Sequence, residues 1–150
     1  ILASPLRRAR ETAAFLGAAT VEPRLVEMDW GDWEGCRLAD LRAADPAAMA
    51  ALEARGLDLQ PPAGERPRDV VDRVAAMFAD LADGTDRVLV SHKGVMRAAL
   101  ALATGWAMTT KPPLRLQPAT AWLLTLDVTG HPHPVVEAVP LQDGVAACGR

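Results

Sequence analysis

The feature that most narrows the folds open to this chain is a short apolar run that ends in a histidine and passes at once into a second apolar segment. Val88-Leu89-Val90-Ser91-His92 reads as a strand, Lys93-Gly94 as the turn, and Val95 to Ala103 as a helix. A buried strand feeding directly into an apolar helix is the unit from which α/β sheets are built. The turn places the His92 imidazole at the carboxyl edge of that sheet. There it lies beside a helix N-terminus whose free N–H groups attract anions.

The other segments mostly repeat this alternation. Ser4 reads as an N-cap and Pro5 as the first helical residue; Leu6, Ala9, Ala13 and Leu16 then recur at helical spacing until Gly17. Val21 to Met28 reads as extended and carries Glu27 to its far end. Asp29-Trp30-Gly31-Asp32-Trp33-Glu34-Gly35 follows as a loop, with two glycines suited to positive φ and two indoles suited to closing over a pocket. Leu38 to Ala44 and Pro46 to Arg55 are alanine-rich helical pieces, and Gln60 to Gly64 is a loop within the domain. Pro67 opens a long helix with a stripe of Val70, Val71, Val74, Ala75, Phe78 and Leu81, closed by Gly84, while Gly105 closes the helix after His92. Ala121 to Asp127 and Pro134 to Val139 read as two strands joined by a turn at Thr129-Gly130, a hairpin at the edge of the sheet. The pattern predicts one α/β sandwich over residues 1–150.

Composition removes several functions. The net charge is −3 and no stretch is strongly basic, so there is no electrostatic footprint for nucleic acid or an anionic membrane. An anionic ligand must therefore be held by a local cluster of positive groups. No apolar run approaches the roughly 20 residues that span a bilayer, and the chain is expected to be soluble. Cys36 and Cys148 lie in unrelated contexts and are expected to be a reduced, cytoplasmic pair. Ile1-Leu2-Ala3-Ser4 has no methionine and reads as the tail of a strand running into a helix, so the chain is expected to be cut at its N-terminus.

Three residues are candidates for chemistry. Arg8 follows a strand end and, if that strand is parallel to the His92 strand, emerges at the same edge. Its guanidinium then offers bidentate bonding to phosphate oxygens; the alternative is a surface arginine in the cluster Arg7, Arg8 and Arg10. Glu27 precedes the tryptophan loop. Partly desolvated by Trp30 or Trp33 it would hold a proton for a leaving oxygen, and otherwise it is a solvated loop acid, as are Asp29, Asp32 and Glu34. His92 is either the centre of a pocket or a histidine bonded to a backbone carbonyl. Lys93 and Arg97 either add positive charge at this edge or face solvent. His131 and His133 sit near a hairpin turn without a cysteine or acid cluster, so no metal is expected there. Trp106 and Trp122 are expected at the core margin.

Taken together, Ser4-Pro5-Leu6-Arg7-Arg8-Ala9-Arg10-Glu11-Thr12-Ala13, Glu27 with Gly31-Asp32-Trp33-Glu34-Gly35, and Ser91-His92-Lys93-Gly94-Val95-Met96-Arg97 resemble the histidine phosphatase superfamily, the phosphoglycerate-mutase-like proteins. Pro62-Ala63-Gly64-Glu65 with Arg73 matches the family's Pro-x-Gly-Glu-Ser segment and the helix after it. Lys93 stands where many members have glycine, and Arg66 where many have serine. The resemblance implies a three-layer α/β/α sandwich with a mostly parallel central sheet. It also implies that Arg8 clamps the phosphate, Glu27 protonates the leaving group and His92 is the second pocket histidine. The family's nucleophilic histidine lies in an N-terminal Arg-His-Gly motif on the first strand; that motif has no counterpart here, and the chain is expected to begin at about the second strand.

The implied activity of the intact protein is hydrolysis of a phosphomonoester through a phosphohistidine, with no metal or other cofactor. The expected substrate is a small phosphorylated metabolite or a phosphohistidine protein. A phosphoglycerate-type mutase and a non-catalytic phosphate-binding module are the alternatives. The absent strand would be central to the sheet, so the fragment alone is expected to be unstable or oligomeric, or to have its sheet completed by strands swapped from another chain.

Overall fold

The computed structural model describes residues 1–141. Three short strands, β1 (Leu2–Ala3), β2 (Thr20–Val21) and β3 (Leu89–Val90), form a parallel sheet in the order β2-β1-β3. Leu2 is opposite Thr20 on one side and Leu89 on the other. Ladder bonds from Ser4 N to Val90 O and from Glu22 N to Ala3 O, both 2.9 Å, extend the pairing past the strand ends. All three strands therefore release their chains at one edge, and the segments leading to Arg8, Glu27 and His92 all start there.

Helices α1 (Arg7–Ala14), α2 (Leu38–Ala44), α3 (Pro46–Glu53), α4 (Pro67–Leu81) and α5 (Lys93–Thr104) make up the helical part. The core lies where α4 meets α5. Val70, Val74, Met77 and Phe78 from α4 pack with Val95, Ala98 and Ala99 from α5, and Leu25 and Met28 close the cluster from the Glu27 segment. Alanines on α5 leave room for the large α4 side chains, which is how two helices reach close packing without cavities. Gly105 ends α5 in the left-handed region at φ +68°, its N–H donating to Ala101 O at 2.9 Å. The C-terminus of α4 is satisfied differently from the expectation at Gly84: Arg87 Nη1 donates to Leu81 O at 2.9 Å. Among the described residues no helix is long and apolar enough to cross a membrane.

The strands β4 (Thr120–Leu126) and β5 (Pro132–Pro140) pair antiparallel as a hairpin. Its turn is tied by Asp127, whose Oδ1 accepts from Thr129 N, Thr129 Oγ1 and His131 N at 2.7–3.0 Å. The hairpin is a separate two-stranded sheet among the described residues, where the sequence suggested the edge of the main one. Side-chain packing holds it in place. Leu124 and Leu126 rest on the α4–α5 core, and Trp122 packs on Leu100, Ala101 and Trp106 as expected for the core margin.

Helix α1 begins later than its sequence suggests. Ser4 reads as an N-cap, yet the N-cap is Leu6, with extended backbone and no side-chain cap bond. Ser4 is instead fully buried, because its neighbour Ala3 still belongs to β1. Cys36 is exposed, and Cys148 lies outside the described residues.

Candidate active site

Arg8, Glu27 and His92 meet at the carboxyl edge of the parallel sheet. Arg8 Nε lies 3.2 Å from His92 Nδ1, and His92 Nε2 lies 2.7 Å from Ser4 Oγ. An arginine can only donate, so the Nδ1 atom is the acceptor and the ring proton resides on Nε2, from which it is donated to Ser4. Ser4 Oγ also accepts from Leu6 N at 3.3 Å. The ring is thus held in one neutral tautomer by partners at both nitrogens. It is only 7% exposed, and this burial keeps its pKa below the ordinary 6.5; the positive charges of Arg8 and Arg73 push the same way and Glu27 opposes them.

Glu27 reaches the site through a kinked segment. After β2, a 3-10 turn over Pro23–Leu25 seats Leu25 in the core, where its carbonyl accepts from Ser91 Oγ at 2.8 Å. Glu27 then turns its Oε1 to two backbone donors, Met28 N at 2.9 Å and Gly94 N at 3.0 Å. One of the free N–H groups at the start of α5 is therefore taken by a carboxylate of the protein itself. A Cβ at position 94 would lie 2.2 Å from that oxygen, so the approach requires glycine. The Oε2 atom has no donor among the described residues, which leaves one carboxylate oxygen for a ligand.

The remaining sequence candidates are spread elsewhere. Arg7 is exposed and pairs with Glu11, and Lys93 is exposed. Arg97 turns away to stack over Trp106, 5.2 Å from the ring centroid. Asp29 and Glu34 tie their own loop, accepting from Gly31 N at 2.8 Å and Trp30 N at 3.1 Å. Among the described residues no three His, Cys, Asp or Glu side chains gather as metal ligands.

Ser4 is a site residue that helix-cap reasoning missed. The signal for it was its place one residue after a strand parallel to β3, where a side chain arrives at the same edge as His92.

The model of the histidine phosphatase superfamily (branch 1) matches residues 1–136. The chain belongs to this superfamily. Its relatives include a glucosyl-3-phosphoglycerate phosphatase of Mycolicibacterium vanbaalenii, 34% identical over 87% of this chain, of whose length the match covers 63%. A 2,3-bisphosphoglycerate-dependent phosphoglycerate mutase of Beijerinckia indica is 28% identical over 65% of this chain and half of its own length. Among solved structures, a mycobacterial glucosyl-3-phosphoglycerate phosphatase in complex with inorganic phosphate superposes with a TM-score of 0.72 at 29% identity, covering 92% of this chain and 73% of that one. The fold of this histidine phosphatase chain is thus shared with a protein that holds phosphate.

Proposed function

We propose that the intact protein is a phosphomonoester hydrolase that works through a phosphohistidine, with a small phosphorylated metabolite or a phosphohistidine protein as substrate. The observation that carries this reading is the contact between Arg8 Nε and His92 Nδ1, with Glu27 anchored two residues further on at Gly94 N. A permanent cation, an imidazole and a carboxylate with one free oxygen are what transfer of a phosphoryl group needs around the phosphorus: charge stabilisation on the oxygens and a proton for the departing alkoxide.

His92 itself does not fit the part of nucleophile, since its Nδ1 lone pair points at a guanidinium and its Nε2 proton at a buried hydroxyl. The nucleophile in this proposal is a second histidine, supplied on a strand from outside the 150 residues. It attacks phosphorus as the P–O bond to the leaving group breaks. Arg8 holds the oxygens, joined by His92 once the phosphate displaces Arg8 Nε from Nδ1 and that nitrogen takes up a proton from solvent, and Glu27 Oε2 delivers the proton to the alkoxide. In the second step Glu27 takes a proton from water, which attacks the phosphohistidine and releases phosphate. Hydrolysis is favoured over mutase chemistry because a mutase must retain and reorient its product, whereas the stretch from Glu27 to His92 is short and taken up by α2, α3 and α4. The engaged state of both His92 nitrogens also supports a second reading, a phosphate-binding module without turnover.

The coding sequence upstream of Ile1, followed by assay of the full-length protein on p-nitrophenyl phosphate, separates these readings. An in-frame Arg-His-Gly with turnover and an acid-labile phosphoenzyme is expected; phosphate binding without turnover gives the module instead. Arg8→Ala is expected to lower kcat by about 10²–10³, as for loss of a donor to developing charge. An unchanged rate would remove Arg8 from the pocket.

A further inference from the structure

We infer that Arg73 and Glu65 are positioning residues for Glu27, forming a half-buried ionic brace that holds the carboxylate against α5. This rests on the proposed role of Glu27 as proton donor. The segment from Arg24 to Asp29 contains no regular structure after its 3-10 turn, so nothing in its own backbone ladder fixes where Glu27 points. Its fixation comes from outside. Arg73, on α4, donates through Nε to Glu65 Oε1 at 2.9 Å and through Nη2 to Glu65 Oε2 at 3.1 Å, a two-bond fork. Its third nitrogen, Nη1, donates to Arg24 O, three residues before Glu27.

Glu65 continues the chain of contacts to the other side of Glu27. Its backbone N donates to Asp29 O at 2.8 Å, and its Oε2 accepts from Asp29 N at 3.3 Å. The four residues between Arg24 and Asp29, Glu27 among them, are therefore gripped at both ends by one ion pair, whose side chains are only 17% and 21% exposed. Ser91 Oγ to Leu25 O adds a third point, from the residue next to His92. Arg73 stands near enough to the reacting groups to act on His92 electrostatically, yet all three of its donor nitrogens are occupied by protein acceptors. These three bonds fix the plane of the guanidinium and place Arg73 to hold the site in shape. A lysine at 73 keeps the charge but cannot bond Glu65 twice and Arg24 O at once. A glutamine at 65 keeps the shape but loses the ion pair.

The test compares Arg73→Lys, Glu65→Gln and the double variant in the full-length protein, on ethyl phosphate and p-nitrophenyl phosphate. Ethoxide needs a proton to leave and p-nitrophenolate does not. Misplacing the donor is expected to lower the single-turnover rate of phosphoenzyme formation by about 10–100-fold with ethyl phosphate and by less than about 2-fold with p-nitrophenyl phosphate, read apart from the hydrolysis step that both esters share. The double variant should lose no more than either single one, since both cut the same brace. Equal losses on the two esters, or no loss, overturn the inference. The Gly94 amide resonance in the full-length protein supplies a readout independent of turnover, because Gly94 N donates to Glu27 Oε1. It should shift in both variants; an unmoved Gly94 amide overturns the brace. If the wild-type protein hydrolyses neither ester, the phosphatase reading fails by itself and the brace is decided by that resonance.

Discussion

At the scale of single residues, His92 is a buried group of the site with partners at both ring nitrogens. Among the described residues its Nε2–H has no acceptor but Ser4 Oγ, in a fully buried position. Ser4→Ala leaves that donor without a partner and should lower stability by about 1–3 kcal/mol, read as a lower denaturant midpoint at unchanged m. The depressed pKa of His92 gives a second prediction. Above the ordinary value of 6.5 the ring is neutral folded and unfolded, and its contribution is fully present. As pH falls through 6.5 the unfolded chain takes up the proton first, so folding loses free energy until the lower folded pKa is passed. The melting temperature should therefore drop between about pH 7 and pH 5, and His92→Gln should flatten that slope. A slope equal in both proteins would place the titration elsewhere. That Arg8, Glu27 and His92 share one sheet edge was legible in the sequence, because residue type, strand ends and family spacing all pointed to the same three positions. Ser4 was not legible as a site residue: a serine before Pro5 satisfies the pattern of a helix cap equally well, and only the strand pairing decides between them.

At the scale of elements, glycine positions control how the pieces approach. Gly130, at φ +84° in the hairpin turn, lies so close to α4 that a Cβ there would be 2.4 Å from Ala79 Cα. Both objects are backbone, so no side-chain adjustment relieves the contact. Gly130→Ala should destabilise by at least the roughly 1–3 kcal/mol of a non-glycine residue in the left-handed region, and should loosen the hairpin selectively. Faster amide exchange in β4 and β5 than in β3 would show this, whereas uniform loss would mean that the hairpin is not a separable unit. Helices α2 and α5 follow their expected bounds closely, and α4 starts at Pro67 as its proline suggests but ends at Leu81, short of Gly84. The parallel strands are much shorter than the extended runs suggest. Val88 to His92 yields only Leu89–Val90 because pairing is limited by the length of the partner strand β1.

At the scale of the whole molecule, the hairpin and the parallel sheet are two sheets bridged by the α4–α5 layer. Beyond its pairing with β1, β3 has no other strand partner among the described residues, and Val88 at its start is 50% exposed. An open parallel edge tends to find another strand, so this chain on its own should self-associate in a concentration-dependent way by sedimentation velocity. A monomer with a cooperative melt above about 50 °C would contradict that expectation. The separation of the hairpin was not readable from local patterns, because alternation along β4 and β5 reports that they have a buried face and not which sheet they join. The Ser4 to His92 contact has a further meaning in time. Its two ends are 88 residues apart in the chain and meet only through the pairing of β1 with β3. Helices α4 and α5 can form from neighbouring contacts, whereas this hydrogen bond requires a long loop closure, so the imidazole is expected to reach its native surroundings late in refolding, as stopped-flow refolding of Ser4→Ala would check by a changed unfolding rate at an unchanged folding rate. The Nε2 proton resonance would accordingly time the pairing of β1 with β3, since the site's geometry comes into being as the sheet does.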